Sequence, residues 1–253
     1  MHLSPETITL LFSVSCIAGF IDTLAGGGGL LTIPSLLLAG LPPIQALGTN
    51  KFQAVAGSST ATYLLTRSGR LRWPGLRPLF IAAFIGSAIG TLLVQQIDAA
   101  SLGIVIPLVL VAIGIYFVAV PVAHLHGGKA VISEKVHRNM IVPVIGCYDG
   151  MFGPGTGSFF TLAGVALRGK ALLQASMEAR ALNFATNLAA VIVFLLGGHV
   201  VWIAGAVMMI GQFLGARLGA SYLPRINPMH LKYLIVLMSF GMLIRYADSN
   251  GWL

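Results

Sequence analysis

Residues 19–29 read GFIDTLAGGGG, and residues 146–157 read GCYDGMFGPGTG. In both stretches an apolar segment carries a single aspartate, Asp22 or Asp149, and then runs into a cluster of glycines. A short apolar piece of roughly ten residues follows each cluster. At about 1.5 Å per residue, such a piece reaches only halfway across a bilayer. The pattern predicts two helices that are broken at membrane depth.

The composition places the whole chain in a membrane. Of the 253 residues, 57% are hydrophobic and 9% are charged, and the mean hydropathy is +0.90. An ordinary soluble domain has about 25% charged residues. The composition therefore excludes a soluble enzyme, an extracellular module and a nucleic-acid-binding domain, although a net charge of +8 would otherwise suggest an acidic partner. We expect the lipid bilayer as its surroundings and no nucleic-acid partner.

The apolar stretches predict an all-α, polytopic integral membrane protein. Those with a length near the 20 residues or so that a membrane-spanning helix needs are residues 7–25, 43–66, 75–97, 102–120, 138–152, 171–196, 200–223 and 229–246. The short pieces, residues 30–39 and 158–167, come after the first and the fifth of these.

An internal repeat relates the two glycine stretches. Asp22 recurs as Asp149, and Lys51 recurs as Arg180. The same register continues through small residues further along, with Gly86 and Gly90 recurring as Gly211 and Gly215. We therefore predict two homologous membrane repeats, residues 1–122 and 138–253, joined by a polar cytoplasmic linker, residues 123–137.

The basic residues predict the topology, because short cytoplasmic loops carry the excess of Lys and Arg. They cluster in residues 67–77, 129–138, 168–170 and 225–232. With Arg138 and Arg168 both inside, the segment between them must enter and return on the same side. The repeat makes residues 7–39 the equivalent hairpin from outside. Each half then has one re-entrant hairpin and three spans, which predicts inverted topology, outside termini and a multi-pass protein of the cell (inner) membrane.

The paired breaks predict a substrate site near the bilayer midplane. Irregular backbone at that depth is tolerated where it lines a cavity, and equivalent breaks in inverted halves are typical of transport sites. The half-helix that follows each break would point its N–H groups and positive dipole end at an anion. The predicted binding residues of the breaks are Gly26, Gly27, Gly28, Gly29, Gly153, Gly155, Thr156, Gly157 and Ser158.

Two cations approach the same depth. Lys51 and Arg180 each lie about two helical turns inside a predicted span, where a charge needs a partner or a function. We expect them to bind the anion, together with the amides of Asn50, Gln53, Asn183 and Asn187. The alternative is that the cations pair with Asp22, Asp149 or Glu178 and that the amides join helices.

The acids Asp22, Asp149 and Glu178 are candidates for gating or coupling. Asp22 and Asp149 could instead form the catalytic pair of an intramembrane aspartyl protease. However, Asp22 is not preceded by the Gly-x-Gly that such a protease requires, and no Pro-Ala-Leu motif occurs. The sequence shows no cofactor, metal or nucleotide motif, so we expect a carrier and not an enzyme.

The pairs Gly86/Gly90 and Gly211/Gly215 each place two glycines on one face of a helix, and we call these faces glycine stripes. They predict close helix packing, either inside the bundle or in a homodimer.

Specific motifs carry a family resemblance. Gly19 to Asp22 with the following glycines, and then TNKFQ at residues 49–53, resemble the first half of the sulfite exporter TauE/SafE family, or 4-toluene sulfonate uptake permeases. YDG at residues 148–150 and GPGTGSFF at residues 153–160 resemble the second half of its YfcA-like branch. The resemblance implies a membrane carrier for small sulfur-containing anions such as sulfite, sulfonates or sulfoacetate, and we expect export by alternating access around the two breaks. The alternative is a carrier of another small anion or metabolite on the same scaffold. Glu178 departs from the pattern of the first half, and it could weaken anion binding or couple protons.

Overall fold

The protein is described by a computed structural model that covers residues 4–25, 27–119, 127–222, 228–249 and 251. These residues fold into helices with no strand among them, which confirms the predicted all-α class. The helices are α1 (Pro5–Ala25), α2 (Gly29–Leu38), α3 (Pro43–Arg67), α4 (Trp73–Val94), α5 (Ala99–Ala119), α6 (Glu134–Val136), α7 (Val142–Met151), α8 (Thr156–Leu162), α9 (Leu172–Leu196), α10 (Trp202–Tyr222) and α11 (Pro228–Ser249). A π-helical turn, His137–Ile141, joins α6 to α7, and another, Ala163–Leu167, extends α8.

The chain is a multi-pass membrane protein. Five of the described helices are long and apolar enough to cross a membrane: α1, α4, α5, α9 and α10. Their outer faces carry large apolar side chains in the open, such as Ile81, Ile85 and Ile89 of α4. Lipid can cover such a surface, whereas water penalises it. The 25-residue α3 is less apolar because its inner face carries amides, hydroxyls and Lys51.

The second broken segment enters and leaves at the same end of the molecule. The amide of Gly128 donates to the carbonyl of Gly169 at 3.1 Å, and the amide of Val131 donates to the carbonyl of Leu167 at 2.9 Å. These bonds tie the chain before α6 to the chain after α8. Residues 134–167 therefore form a closed hairpin, as the distribution of basic residues predicts.

The first broken segment also reverses its direction. Gly215 and Gly219 of α10 lie against Cys16 and Phe20 of α1, so α1 and α10 run parallel. Along α3, Gly48 lies against His199 and Gly57 against Gln212, so α3 also runs parallel to α10. Because α1 and α3 share one direction, the short α2 between them is the return arm of a hairpin.

Helices α3 and α9, which the predicted repeat makes equivalent, run in opposite directions. Gly48, near the start of α3, lies against Phe194, near the end of α9. Thr62, near the end of α3, donates to the carbonyl of Arg180, near the start of α9. An inverted repeat requires this antiparallel relation of α3 and α9. The inverted orientation of the halves in a bilayer, with both termini outside, stays a prediction.

Each hairpin packs chiefly against the opposite half. Helix α1 lies along α10, and α7 lies along α4. Glycines permit the close approach, because a Cβ at Gly90 would lie 2.7 Å from the carbonyl carbon of Cys147 and one at Gly215 would lie 2.8 Å from that of Cys16. The predicted packing role of the glycine stripes is therefore confirmed, and in this structure the contacts are made within one chain.

The buried apolar core joins the two halves as well. The larger cluster packs the first hairpin against α3, α5 and α10, with Leu11, Leu31 and Met208 fully buried. A smaller cluster fills the space between α4, α7 and α9. Both clusters flank the two helix breaks and hold them near the middle of the bundle.

Candidate functional site

The first break is capped by its own aspartate. Asp22 lies near the end of α1, and its Oδ1 accepts a hydrogen bond of 3.1 Å from the amide of Gly28, the N-cap residue of α2. Gly27 and Gly28 are buried, and Gly29 begins α2. Gly26, predicted to bind substrate, lies outside the described residues. A carboxylate therefore already occupies part of the helix N-terminus that we expected to attract an anion.

The second break depends on two glycines with left-handed backbone. Gly153 has a φ of +101° and Gly155 a φ of +82°, values that residues other than glycine rarely adopt. The hydroxyl of Thr156, at the start of α8, donates to Oδ1 of Asp149 at 2.6 Å. The hydroxyl of Tyr148 donates to the carbonyl of Pro154 at 2.6 Å and so braces the turn. Gly157 and Ser158 continue into α8.

The two cations of the repeat contact the hairpin of the opposite half. Nζ of Lys51, on α3, lies 3.0 Å from Oδ1 of Asp149, at the end of the second hairpin's first arm. Nη1 of Arg180, on α9, donates to the backbone carbonyl of Asp22 at 2.6 Å. Each half therefore contributes a cation that binds the hairpin of the other half. The acceptor is a carboxylate for Lys51 and a backbone carbonyl for Arg180.

The Lys51–Asp149 pair is sealed from solvent. Each side chain is 1% exposed. A Cβ at Gly153 would lie 2.8 Å from Nζ of Lys51, so the break passes directly beside the ammonium group. The second carboxylate oxygen of Asp149, Oδ2, is buried and has no hydrogen-bond partner among the described residues. A buried pair of this kind is costly to break, because either partner alone is an uncompensated charge.

Arg180 does not pair with Glu178, one of the acids named in the alternative interpretation. The sequence offers Glu178 as a local acid, but Glu178 pairs with Lys170. In the described part of the chain no carboxylate lies within ion-pair distance of the Arg180 guanidinium. The side chains two residues apart on a helix point to different sides, so Glu178 does not join the central cluster. Arg180 thus has no direct ion pair among the described residues, although the Asp22 carboxylate acts on its charge, whereas Lys51 is paired with Asp149.

Amide side chains lie on the same helices as the two cations. Oδ1 of Asn50 accepts from the Thr32 hydroxyl at 2.6 Å and from Nε2 of Gln53 at 3.1 Å. Oε1 of Gln53 is buried without a partner among the described residues. In the second half, Nδ2 of Asn187 donates to the carbonyl of Asn183 at 2.8 Å and to its Oδ1 at 3.1 Å. These groups form a polar lining around the breaks, and part of its hydrogen-bonding capacity is unused.

Some polar residues of the structure are not part of the repeated sequence motifs, and they were not predicted from the sequence. Ser87 of α4 donates to the carbonyl of Thr186, and Thr91 donates to the carbonyl of Gly150, so both tie α4 to the second half. Gln212 of α10 is 2% exposed, and its Oε1 has no partner among the described residues. An amide inside an apolar span is expensive, and this cost alone could have marked Gln212 in the sequence.

The two aspartates have different partners. Asp149 binds Lys51 and Thr156, whereas Asp22 accepts from the Gly28 amide. No hydrogen bond joins the two carboxyl groups in the described part of the chain. A protease dyad requires carboxyl groups that share a proton, and each aspartate here is bound to other groups instead.

Comparisons with known proteins identify the family. A probable membrane transporter protein of Haemophilus influenzae is 41% identical over 252 residues, which cover 100% of this chain and 99% of that protein. The probable membrane transporter protein YfcA of Escherichia coli is 39% identical over 98% of this chain and 93% of its own length. No solved structure gives a significant match. The sequence profile described as sulfite exporter TauE/SafE matches residues 11–246, and the chain therefore belongs to this family.

Proposed function

We propose that this chain exports small sulfur-containing anions, sulfite or an organosulfonate, across the inner membrane. The description of the family and the names of the relatives support a membrane transporter over an enzyme. The observation that carries the anion class is the placement of a cation from each half against the hairpin of the other half. Lys51 and Arg180 are each held against the hairpin of the opposite half, next to a break.

Arg180 is the first contact of the anion in this proposal. Its charge lacks a carboxylate within ion-pair distance among the described residues, so an anion can supply the missing counter-charge. A guanidinium offers several N–H donors in a fixed plane, which suits the oxygens of a sulfite or sulfonate group. Asn183 and Asn187 lie one and two turns further along α9 and provide amide groups beside it.

Lys51 binds the same anion after an exchange of partners. An oxygen of the anion replaces Oδ1 of Asp149 at the ammonium group and keeps that charge neutralised. The second hairpin is then no longer tied to α3 through Asp149. Because each hairpin is held by a cation of the other half, the two hairpins are the elements that open and close the site in alternation. Asp22 and Asp149 act as the gates.

Proton coupling follows from the same exchange. When Lys51 turns to the anion, Asp149 is left as a buried carboxylate without its counter-charge. Such a group costs several kcal/mol unless it is neutralised. Uptake of a proton by Asp149 removes this cost, so we propose that anion movement in one direction accompanies proton movement. Glu178, which faces Lys170, has no part in this step.

A flux assay in proteoliposomes tests the proposal. The purified chain is reconstituted, and flux is measured for sulfite, methanesulfonate, benzenesulfonate, acetate, phosphate and a neutral sugar. We expect flux of sulfite or a sulfonate, and at least a tenfold loss in Arg180→Gln. Arg77→Gln, an exposed arginine of α4, is the matched control and keeps its flux. Flux of carboxylate or phosphate alone would indicate a carrier of another anion, and flux of the neutral sugar alone would refute the anion site.

A further inference from the structure

A polar cavity lies apart from the helix breaks. It has a volume of about 970 Å³ and forms where the turn between α3 and α4, the base of the second hairpin and the first turns of α9 meet. Its polar lining comes from Arg70, Arg72, Glu134, His137, Arg168, Lys170, Gln174 and Glu178. None of the residues of the Lys51–Asp149 pair or Arg180 lines it.

The charges that line this cavity do not balance. Four cations face two acids, Glu134 and Glu178. Lys170 pairs with Glu178, and Arg168 donates to the backbone carbonyl of Ile132. The side chains of Arg70 and Arg72 have no ion-pair or hydrogen-bond partner in the part of the chain that the structure describes. The cavity therefore holds a surplus of positive charge that is concentrated on two unengaged guanidinium groups.

His137 does not change the positive charge of the cavity. Its side chain is 5% exposed, and burial together with the nearby charges of Lys170 and Arg168 lowers its pKa to about 4. Glu178 and Glu134 oppose this effect only in part. At neutral pH the imidazole is uncharged, so a negative charge has to come from outside the chain.

One side of the cavity is apolar. Leu71, Trp73, Leu76, Leu79 and Met177 form it, and the indole of Trp73 is fixed by a hydrogen bond of 3.1 Å to the Thr66 hydroxyl. A concave site with apolar walls and a few convergent charges is typical of small-molecule sites. The lining fits a ligand that joins an anionic head to an apolar body better than it fits a bare inorganic ion.

We propose that this cavity is a second anion site, which binds a phosphate or sulfonate head group through Arg70 and Arg72 and an attached apolar body on Trp73 and Met177. Two sources supply this chemistry: an anionic phospholipid of the surrounding membrane and a soluble organic anion. The proposal depends on the cavity alone, so it stands or falls independently of transport at the helix breaks.

Binding to two double variants tests the site. Benzenesulfonate is titrated calorimetrically into the full chain in a neutral detergent, and phosphatidylglycerol adducts are counted by native mass spectrometry. The test variant is Arg70→Ala/Arg72→Ala. The control is Arg67→Ala/Arg77→Ala, which removes two exposed arginines from the same region that do not line the cavity. Both variants lose the same charge, and Arg70 and Arg72 are exposed, so folding is preserved.

We expect one of the two probes to bind the wild type and the control equally and the test variant at least tenfold more weakly, a loss of about 1.4 kcal/mol or more, because both charged contacts to the head group are removed. Loss with benzenesulfonate identifies a soluble ligand, and loss with phosphatidylglycerol identifies a lipid. Absence of binding for both probes overturns the proposal. So does an equal effect in the two double variants, which would reflect surface charge alone.

Discussion

The ammonium nitrogen of Lys51 lies 3.0 Å from a carboxylate oxygen of Asp149, and the two residues come from opposite halves of the chain. Both are buried at the middle of the bundle, beside the second break. Removal of either partner leaves a charge with no compensation in a place that water does not reach. The pair is therefore the contact through which stability and transport can be separated experimentally.

Lys51→Met should destabilise the protein by about 3–5 kcal/mol, because it strands the Asp149 carboxylate. Methionine keeps the volume of the side chain, so the loss of charge is the main effect. Adding Asp149→Asn should restore most of the stability. Thermal unfolding in detergent, followed by tryptophan fluorescence, measures both effects.

The control for this pair is Lys51→Met/Asp22→Asn. Asp22 accepts from the Gly28 amide and is not the partner of Lys51, so this variant should stay as unstable as the single one. Rescue by Asp22→Asn instead of Asp149→Asn would contradict the pairing. If Lys51 also binds the anion, the stable Lys51→Met/Asp149→Asn protein should have lost flux, and full flux in it would exclude Lys51 as a ligand.

Gly153→Ala should reduce both stability and flux. Its φ of +101° costs an alanine about 1–2 kcal/mol, and the new Cβ would lie 2.8 Å from the Lys51 ammonium. Gly198→Ala is the control, since Gly198 has a φ of +71° and nothing within 4 Å of an added Cβ. Thermal unfolding should detect similar backbone strain in both, whereas flux should fall in Gly153→Ala alone. Equal flux in the two variants would show that the contact with Lys51 does not contribute to transport.

Gly90→Val should weaken the packing of α4 on α7. A Cβ there would meet the backbone of Cys147, which cannot move aside as a side chain does. Overpacking of this kind typically costs about 1–3 kcal/mol. Gly103→Val, in α5, has no atom within 4 Å of the new Cβ and serves as the control. The melting temperature should drop for Gly90→Val and stay near that of the wild type for Gly103→Val; the reverse order would contradict the described packing.

A fall in pH should destabilise the wild-type protein more than it destabilises the His137→Gln variant. The pKa of His137 is lowered to about 4 from its usual 6.5, so below pH 6.5 the unfolded chain binds a proton that the folded chain refuses. This contribution is complete above pH 6.5 and is lost as the pH falls toward 4. Between pH 7.5 and 5, the wild type should lose at least about 2–4 °C more in melting temperature, the equivalent of about 1 kcal/mol. Parallel curves for the two proteins would contradict a neutral, buried His137.

Labelling from the two sides of the membrane should distinguish the ends of α4. Ser68→Cys precedes this helix and Gln96→Cys follows it, and both positions are exposed. In a background with Cys16 and Cys147 replaced by Ser, an impermeant maleimide should reach Gln96→Cys in intact cells and Ser68→Cys only after permeabilisation. The opposite result would reverse the predicted topology, and labelling of both from one side would exclude α4 as a span.

Apolar runs and glycine clusters made the helices and their breaks predictable. The first break, for example, is predicted to lead into a helix at residue 30, and α2 begins at Gly29. The return of the second hairpin was predictable because the basic residues at its two ends had to lie on one side. These features depend on local composition and on the cost of charge in lipid, and a single sequence contains both kinds of information.

The partners of the charged side chains were harder to predict. The sequence places Glu178 beside Arg180, yet the helix directs the two side chains apart, and Glu178 meets Lys170. It gives Lys51 three possible acids, and the choice of Asp149 follows from packing between helices that are distant in the chain. Hydrophobic periodicity sets which residues face inward, but it does not specify which of them touch.

The exchange of hairpins between the halves has a consequence for biosynthesis. A ribosome finishes α1 long before it makes α10, the helix along which α1 packs. Until then the face of α1 that packs on the glycines of α10 has no protein to cover it. We therefore expect the first half of the chain to remain incompletely packed until the second half has been inserted. A truncated chain that ends before α10 should be a substrate for membrane proteases, whereas the two repeats supplied as separate polypeptides contain everything needed to complete each other.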